Sequence, residues 1–391
     1  MKKHWRDCRL GDVLTLKRGH DLPGETRIEG DVPVVSSSGI TGFHNEAKAK
    51  APGVVTGRYG TIGEVFYLDQ DYWPLNTSLY VIDFKGTRPR FAAYFLRNVL
   101  KDYQSDKAAV PGVDRNVLHE IKVRAPDPTI QERIESTLTA YDDLMENNRR
   151  RMALLEESAR LLYREWFVHL RYPERMKDEG GRMKDGVPKG WERRTLEEVC
   201  VPGDGIQTGP FGSQLHQSDY SDEGVPVIMP KDILNFRISL ESIARIPEEL
   251  ADRLGRHRMI EGDTVYGRRG DIGRRAYISK RHEGWFCGTG CLRFRPNPSV
   301  IDARYLFDTL GSPDTFGVIV NRAKGSTMPN LSGSSLKSVP ILVAPRRIQD
   351  DYASHVVPII AQIETLADQT QKLRTARDLL LPRLMSGEIE V

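Results

Sequence analysis

No stretch of this chain approaches the roughly 20 consecutive apolar residues of a membrane helix. Its longest apolar runs, such as Val339 to Ala344, are short and interrupted. Positive charge opens the chain at Lys2 and Lys3, but no apolar core follows it, so no secretory leader is expected and a cytoplasmic location is. Cysteine is scarce: four residues, at positions 8, 200, 287 and 291, are too few and too scattered for a disulfide scaffold. Cys287 and Cys291 offer two of the four ligands a structural zinc needs, with no second pair at suitable spacing, so no metal site is expected. Charge of one sign is nearly balanced out, 57 Lys and Arg against 54 Asp and Glu, and a net +3 does not by itself mark a nucleic-acid binder.

Catalytic signatures are missing too. There is no Gly-x4-Gly-Lys-Ser/Thr phosphate loop, and Asn297-Pro298-Ser299-Val300 lacks the second proline and the aromatic residue with which an amino-methyltransferase clamps a flipped base. Gly203-Asp204-Gly205 follows no parallel strand, Pro313-Asp314 has no acid-x-Lys nearby to complete a nuclease metal site, and the nine histidines are dispersed. No catalytic residue is assigned. The pattern is that of a reader whose chemistry is supplied by partners; the alternative is a self-contained DNA methyltransferase or nuclease with an unrecognised active site.

What the chain does have is a duplication. With 391 residues, 39% of them hydrophobic, it has room for two to four domains. Trp5, Leu10 and Val13 recur as Trp191, Leu196 and Val199 at an offset of 186. Gly57-Arg58-Tyr59-Gly60-Thr61-Ile62-Gly63 recurs as Gly267-Arg268-Arg269-Gly270-Asp271-Ile272-Gly273 at 210, and Pro111 and Leu118 recur as Pro329 and Leu336 at 218. Each half is a Gly- and Arg-rich β module, or head, followed by a long helix; the second head is 32 residues longer, 24 before the Gly-Arg loop and eight after it.

The helices carry the seam of a coiled coil. Ile134, Leu138, Tyr141, Met145, Asn148, Met152, Leu155, Ala159, Leu162 and Trp166 step by 4 and 3, as do Tyr352, Val356, Ile359, Ile363, Leu366, Thr370, Leu373, Arg377, Leu380 and Leu384. At 1.5 Å per residue these are helices of about 60 and about 55 Å, with Pro358 expected to kink the second or mark its true start. Antiparallel pairing makes the arrangement pseudo-twofold; parallel pairing would put both heads at one end.

Short β-rich runs in the heads, such as Val54-Val55-Thr56 and Val225 to Met229, predict mostly antiparallel sheet, with amphipathic helices at Arg90 to Leu100 and Asp302 to Leu310. The expected class is therefore α+β: two mixed α/β recognition domains separated by two long antiparallel helices. Expected boundaries are a first head at 1–127, a helix at 128–170, a connector at 171–188, a second head at 189–345 and a helix at 346–391.

Glycines in the repeated loops permit a turn from which an arginine projects, and a guanidinium fork suits guanine O6 and N7 or a phosphate. For a single loop, a hairpin with a solvent-exposed arginine is the favoured explanation, and recurrence in both heads reverses that preference. Arg58 and Arg268 are the expected equivalents, with Tyr59, Thr61, Arg269 and Arg274 beside them. Further DNA-contact candidates are Ser36, Ser37, Ser38, Arg115, Gln207, Ser213, Gln214, Lys231, Lys324, Ser326, Thr327 and Asn330, although turn chemistry explains most of these loops. Between Arg256 and Arg281 eight Lys or Arg stand against three acids, which fits a phosphate backbone or a solvated charged face.

Several segments carry a resemblance: Asn147-Asn148-Arg149-Arg150 through Trp166-Phe167, Pro188-Lys189-Gly190-Trp191, Gly209-Pro210-Phe211-Gly212-Ser213, and the terminal stretch from Leu379-Leu380-Leu381-Pro382-Arg383 to Ile389. Over essentially its whole length the chain resembles the specificity subunits of type I restriction-modification enzymes. The resemblance implies that each head reads half of a bipartite site in double-stranded DNA. It also implies that the helices separate the heads and dock two methyltransferase subunits, for which Tyr141, Asn148, Leu155, Trp166, Ile363, Leu373 and Leu384 are the candidate docking residues. S-adenosylmethionine would then sit on those partners, and ATP and magnesium on a restriction motor-nuclease subunit, with no cofactor in this chain.

Overall fold

A computed structural model of the chain describes residues 4–59, 63–101, 103, 112–173, 183–184, 187–210, 214–323 and 330–391. The chain divides into two compact units, Met1–Arg151 with Thr365–Val391, and Met152–Glu364. No described helix is long and apolar enough to cross a membrane.

The sequence repeat is a repeat of topology. In the first unit a four-stranded sheet runs Thr15–Arg18, Ser78–Asp83, Gly53–Gly57, Val65–Leu68; in the second the order is Ile206–Thr208, Cys291–Phe294, Thr264–Gly267, Arg275–Tyr277. Each unit adds a three-stranded sheet with one parallel pair, Val32–Ser36 beside Trp73–Pro74 and Val225–Ile228 beside Phe286–Cys287. Each is closed by a two-stranded ladder, Trp5–Arg9 with Lys122–Pro126 and Glu192–Thr195 with Pro340–Val343. The buried faces of the four-stranded sheets pack on the helices Pro89–Leu100 and Ala303–Thr309, whose apolar stripes place Phe91, Phe95 and Leu96, and Tyr305 and Leu306, in the two cores.

One insertion distinguishes the heads. In the first, Ser36 pairs with Gly39 across a two-residue turn, Ser37-Ser38. In the second, segment 229–243 stands between the equivalent strands and carries an extra hairpin, Ile233–Leu234 paired with Arg237–Ile238. Its turn residues Asn235 and Phe236 have φ of 49° and 61°. Two positive φ values match the right-handed twist of a tight hairpin, but phenylalanine adopts that conformation at a cost, since its Cβ crowds the backbone.

The long helices run Pro128–Tyr163, continued by a wider π turn at Arg164–Val168, and Arg346–Met385. Pro358 is exposed and does not mark the start of the second helix, because the turns on either side hold it. Within the first unit, Ile134 and Leu138 share a core with Leu381 and Leu384. There Asp142 takes Arg377 at 2.6 Å, an antiparallel pairing. Within the second, Trp166 meets Tyr352 and His355. The polar residues of the seam differ in how they are satisfied: Arg377 finds Asp142, Thr370 donates to its own helix at Leu366, and the Nδ2 of buried Asn148 has no hydrogen bond among the described residues. The connector lies largely outside the described residues; within it Met183–Lys184 pairs with Val187–Pro188.

A glutamine clamp joins each head to the start of its helix. Gln131 Oε1 accepts from Arg88 N while its Nε2 donates to Pro126 O; Gln349 Oε1 accepts from Asp302 N while its Nε2 donates to Ala344 O. Both side chains are buried, and the glutamines lie 218 residues apart, the offset of the helical repeat. Replacing Gln349 with leucine leaves a donor and an acceptor unpaired and is expected to cost about 2–3 kcal/mol in chemical denaturation, whereas an exposed helical glutamine such as Gln369 should tolerate the same change within about 0.5 kcal/mol.

Candidate DNA-recognition loops

Each Gly-Arg loop leaves a central strand of its four-stranded sheet and is pinned by its arginine's backbone. Arg58 N donates to Thr77 O at 2.9 Å and Arg58 O accepts from Val113 N at 2.8 Å; Arg268 N donates to Gly290 O and Arg268 O accepts from Leu331 N, both at 2.9 Å. The next residue bridges to a second loop, Tyr59 to Gly112 and Arg269 to Asn330. Residues far apart in sequence are thus gathered at one edge of each head, and in the second head this unites the loop around Arg268 with Asn330.

The side chains break the symmetry that the backbone keeps. Arg58 is half-buried and lies 4.5 Å over the ring of exposed Tyr59, an aromatic-cation pair facing solvent. Arg268 is not the projecting residue expected of it: it is 6% exposed, and its Nη1 reaches Asn330 Oδ1 and Leu331 O. Burial lowers its pKa below the ordinary arginine value. The guanidinium that projects from the second loop is Arg269. The same backbone pinning with unequal side-chain exposure, Arg58 half-buried and Arg268 buried, makes the heads equivalent in frame and different in surface.

The remaining candidates separate by what they already bond. Ser36 is buried, and its hydroxyl contacts Ser38 Oγ at 3.0 Å and Gly39 O at 3.3 Å, which is turn chemistry; Ser37 is half-buried and Ser38 exposed. Gln207 Nε2 donates to Thr208 O, Lys231 Nζ to Ser242 O, and Arg274 is paired with Asp271 at 2.6 Å. Gln214 is half-buried and Arg115 exposed. Thr61, Ser213, Lys324, Ser326 and Thr327 lie outside the described residues. The basic run from Arg256 to Arg281 is mostly engaged internally: Arg258 binds Glu248 and Asp252, Arg268 is buried, Arg274 binds Asp271, and Arg281 lies 4.0 Å from Glu364.

The docking residues drawn from the seam are also placed by the structure. Asn148, Trp166, Ile363 and Leu384 are buried within the chain, while Tyr141, Leu155 and Leu373 are half-buried. An apolar seam at this spacing is consumed by the intrachain pairing, so the four buried side chains present no surface to another subunit. Exposed apolar side chains on the long helices are instead Leu144, Leu154, Leu161, Val357 and Leu379.

An ion network that sequence reasoning missed stiffens the second head. Arg293, 1% exposed, donates to Asp204 Oδ1 at 2.5 Å; Arg295 binds Asp204 at 2.7 Å and fully buried Asp263 at 2.8 Å. Beside it, His257 is fully buried and accepts from Arg256 Nε, and burial lowers its pKa to about 4. The unfolded chain takes up this proton near pH 6.5 and the folded chain only near 4, so stability is intact at neutral pH and falls as the pH drops through that window. The expected loss is on the order of 3 kcal/mol, and denaturation of His257→Phe across the same range should show a shallower decline. The thiols of Cys200 and Cys287 are pushed up to about 12 by burial, and that of Cys291 well above its ordinary value. No group of potential metal ligands is found among the described residues.

A family model described as the type I restriction modification DNA specificity domain matches residues 2–157 and 188–375. The specificity subunit of type I restriction enzyme MjaIX from Methanocaldococcus jannaschii is 24% identical over 305 residues, covering 77% of this chain and 68% of that protein. The specificity subunit of type I restriction enzyme HindI from Haemophilus influenzae is 22% identical, covering 97% and 93%. Among solved structures, the S subunit of a type I restriction-modification system from M. genitalium superposes with a TM-score of 0.63 at 16% identity, covering 98% of this chain and 97% of that one, a likeness of fold.

Proposed function

The chain belongs to the type I restriction-modification DNA specificity family, whose role is recognition of a DNA target rather than catalysis, and from that premise we propose that its two heads read the two parts of a bipartite duplex site. The observation that carries this reading is the pair of loops around Arg58 and Arg268, pinned by the same backbone bonds and presenting different side chains. A shared frame with divergent tips suits two different half-sites, because phosphate contacts position a protein on DNA while base-edge contacts specify sequence.

In this proposal the long helices carry the methyltransferase subunits, and a restriction motor-nuclease subunit joins the assembly. S-adenosylmethionine belongs to the methyltransferase partners, ATP and magnesium to the motor. The purified chain alone, incubated with duplex DNA and labelled S-adenosylmethionine, should transfer no methyl group, and should acquire that activity on addition of its methyltransferase subunits. Reproducible turnover by the chain alone would establish the self-contained enzyme instead.

A further inference from the structure

The second head contains a cavity of about 460 Å³ beneath its extra hairpin, walled by Phe236 on one side, by Asp271 and Arg274 of the Gly-Arg loop on another, and by Gly311 and Phe316 below. Arg275 points its guanidinium into the same space. That guanidinium is held between two rings, 4.8 Å from the centroid of Phe236 and 4.9 Å from that of Phe307. Its Nε is fixed on Phe307 O at 3.1 Å, while neither Nη has a hydrogen-bond partner among the described residues. Burial lowers its pKa from the ordinary value, with the nearby Asp308 carboxylate acting in the opposite direction without a hydrogen bond to it.

The first head treats the equivalent place differently. By strand register Val65 corresponds to Arg275, and there the arginine comes from the helix, Arg97 Nη2 donating to Val65 O at 2.9 Å. Counting from the glutamine clamps, Arg97 corresponds to Gly311, where a Cβ would fall 1.7 Å from Arg275 Nη2. The second head has therefore moved the arginine to the strand, cleared room for it with glycine, and roofed it with a phenylalanine held at φ 61° on an extra hairpin. Backbone strain of this kind persists where the surroundings impose it and is concentrated at functional sites.

We propose that this cavity is a phosphate-binding site, with Arg275 Nη1 and Nη2 as the end-on fork for two phosphate oxygens. Two parallel N–H donors match two non-bridging oxygens, and the apolar walls suit the sugar that a phosphate carries. The position of the cavity under the Gly-Arg loop makes a DNA backbone phosphodiester its occupant, which rests on the DNA-reading function proposed above; a free nucleotide offers the same chemistry.

The test uses the full chain assembled with its methyltransferase partners. Arg275→Met keeps a straight apolar side chain between the two rings and removes the fork. Salt titration of DNA binding should show the slope of log affinity against log salt reduced by about 0.9, the value of one phosphate, with base preference unchanged. Phe236→Ala, at an exposed turn that leaves the core intact, should weaken binding several-fold in the same sequence-independent way. In parallel, AMP and inorganic phosphate are titrated into the wild-type chain and Arg275→Met in thermal unfolding; stabilisation of the wild type alone would support the site and assign it to a free nucleotide. Unchanged slopes in both variants together with no stabilisation by either ligand would overturn the proposal, as would loss of partner assembly in Arg275→Met with DNA binding intact, which would assign the fork to a protein carboxylate. A wild-type complex with no sequence preference would instead overturn the DNA-reading function itself.

Discussion

Replacing Arg58 and Arg269 together with alanine is expected to weaken binding of the assembled complex to its target by about 2–6 kcal/mol at fixed salt, a loss of about thirtyfold at the least. Arg269 projects from its loop and Arg58 lies half-buried over the exposed Tyr59 ring at the equivalent edge, and a good bidentate base contact contributes about 1–3 kcal/mol of discrimination. The two residues lie in separate units, so their losses should add. Arg58→Ala alone should relax one part of the target and Arg269→Ala the other. Arg268→Ala belongs to a different class: its guanidinium braces Asn330 and Leu331 from inside, so its removal should lower stability and disturb the second part of the target only through loop geometry. Competition binding with duplexes altered in one part at a time separates these cases, and a uniform loss over all sequences would reassign Arg58 or Arg269 to phosphate contact.

Asp263→Ala is expected to destabilise the second unit by on the order of 3 kcal/mol, because Arg295 loses its fully buried carboxylate partner and keeps only the more exposed Asp204. Asp263 is fully buried, accepts two bonds from Arg295, and receives Ile260 N at 2.9 Å, so three donors lose their acceptor at once. The thermal midpoint should fall by on the order of 10 °C. Hydrogen exchange should place the loss in strands Thr264–Gly267 and Cys291–Phe294 and leave the first unit's sheet protected. Protection lost equally in both units would mean that the network supports the whole chain rather than one head.

Much of this architecture is legible in the sequence because it rests on periodicity and repetition. The 4-and-3 spacing marks the helices, and stepped offsets of 186, 210 and 218 align the corresponding segments of the two heads. Local chemistry also locates the turns: the Gly-Arg loops sit where their glycines place them. What periodicity does not encode is which of two adjacent arginines faces water. Arg268 and Arg269 are equivalent as letters, and the backbone bonds to Gly290 and Leu331 decide that the first turns inward. The same limit applies to the seam, where heptad spacing identifies interface residues but not whether the interface lies within the chain or with another subunit. Trp166 and Leu384 are consumed internally. Gln131 and Gln349 carried a readable signal, two polar residues at the 218 offset just before each seam, but a glutamine near a helix start looks like an exposed one until the backbone groups it satisfies are known. The buried network of Asp204, Asp263, Arg293 and Arg295 left no comparable trace, since its members are brought together only by sheet register.

The central claim, that each head reads its own part of the target, is tested most directly by mapping methylated motifs in a host that expresses the chain with its methyltransferase subunits, comparing wild type with Arg58→Ala and Arg269→Ala. One two-part motif with an unspecified gap is expected, one variant relaxing only the first part and the other only the second. A single contiguous motif, or both variants relaxing the same part, would contradict the claim.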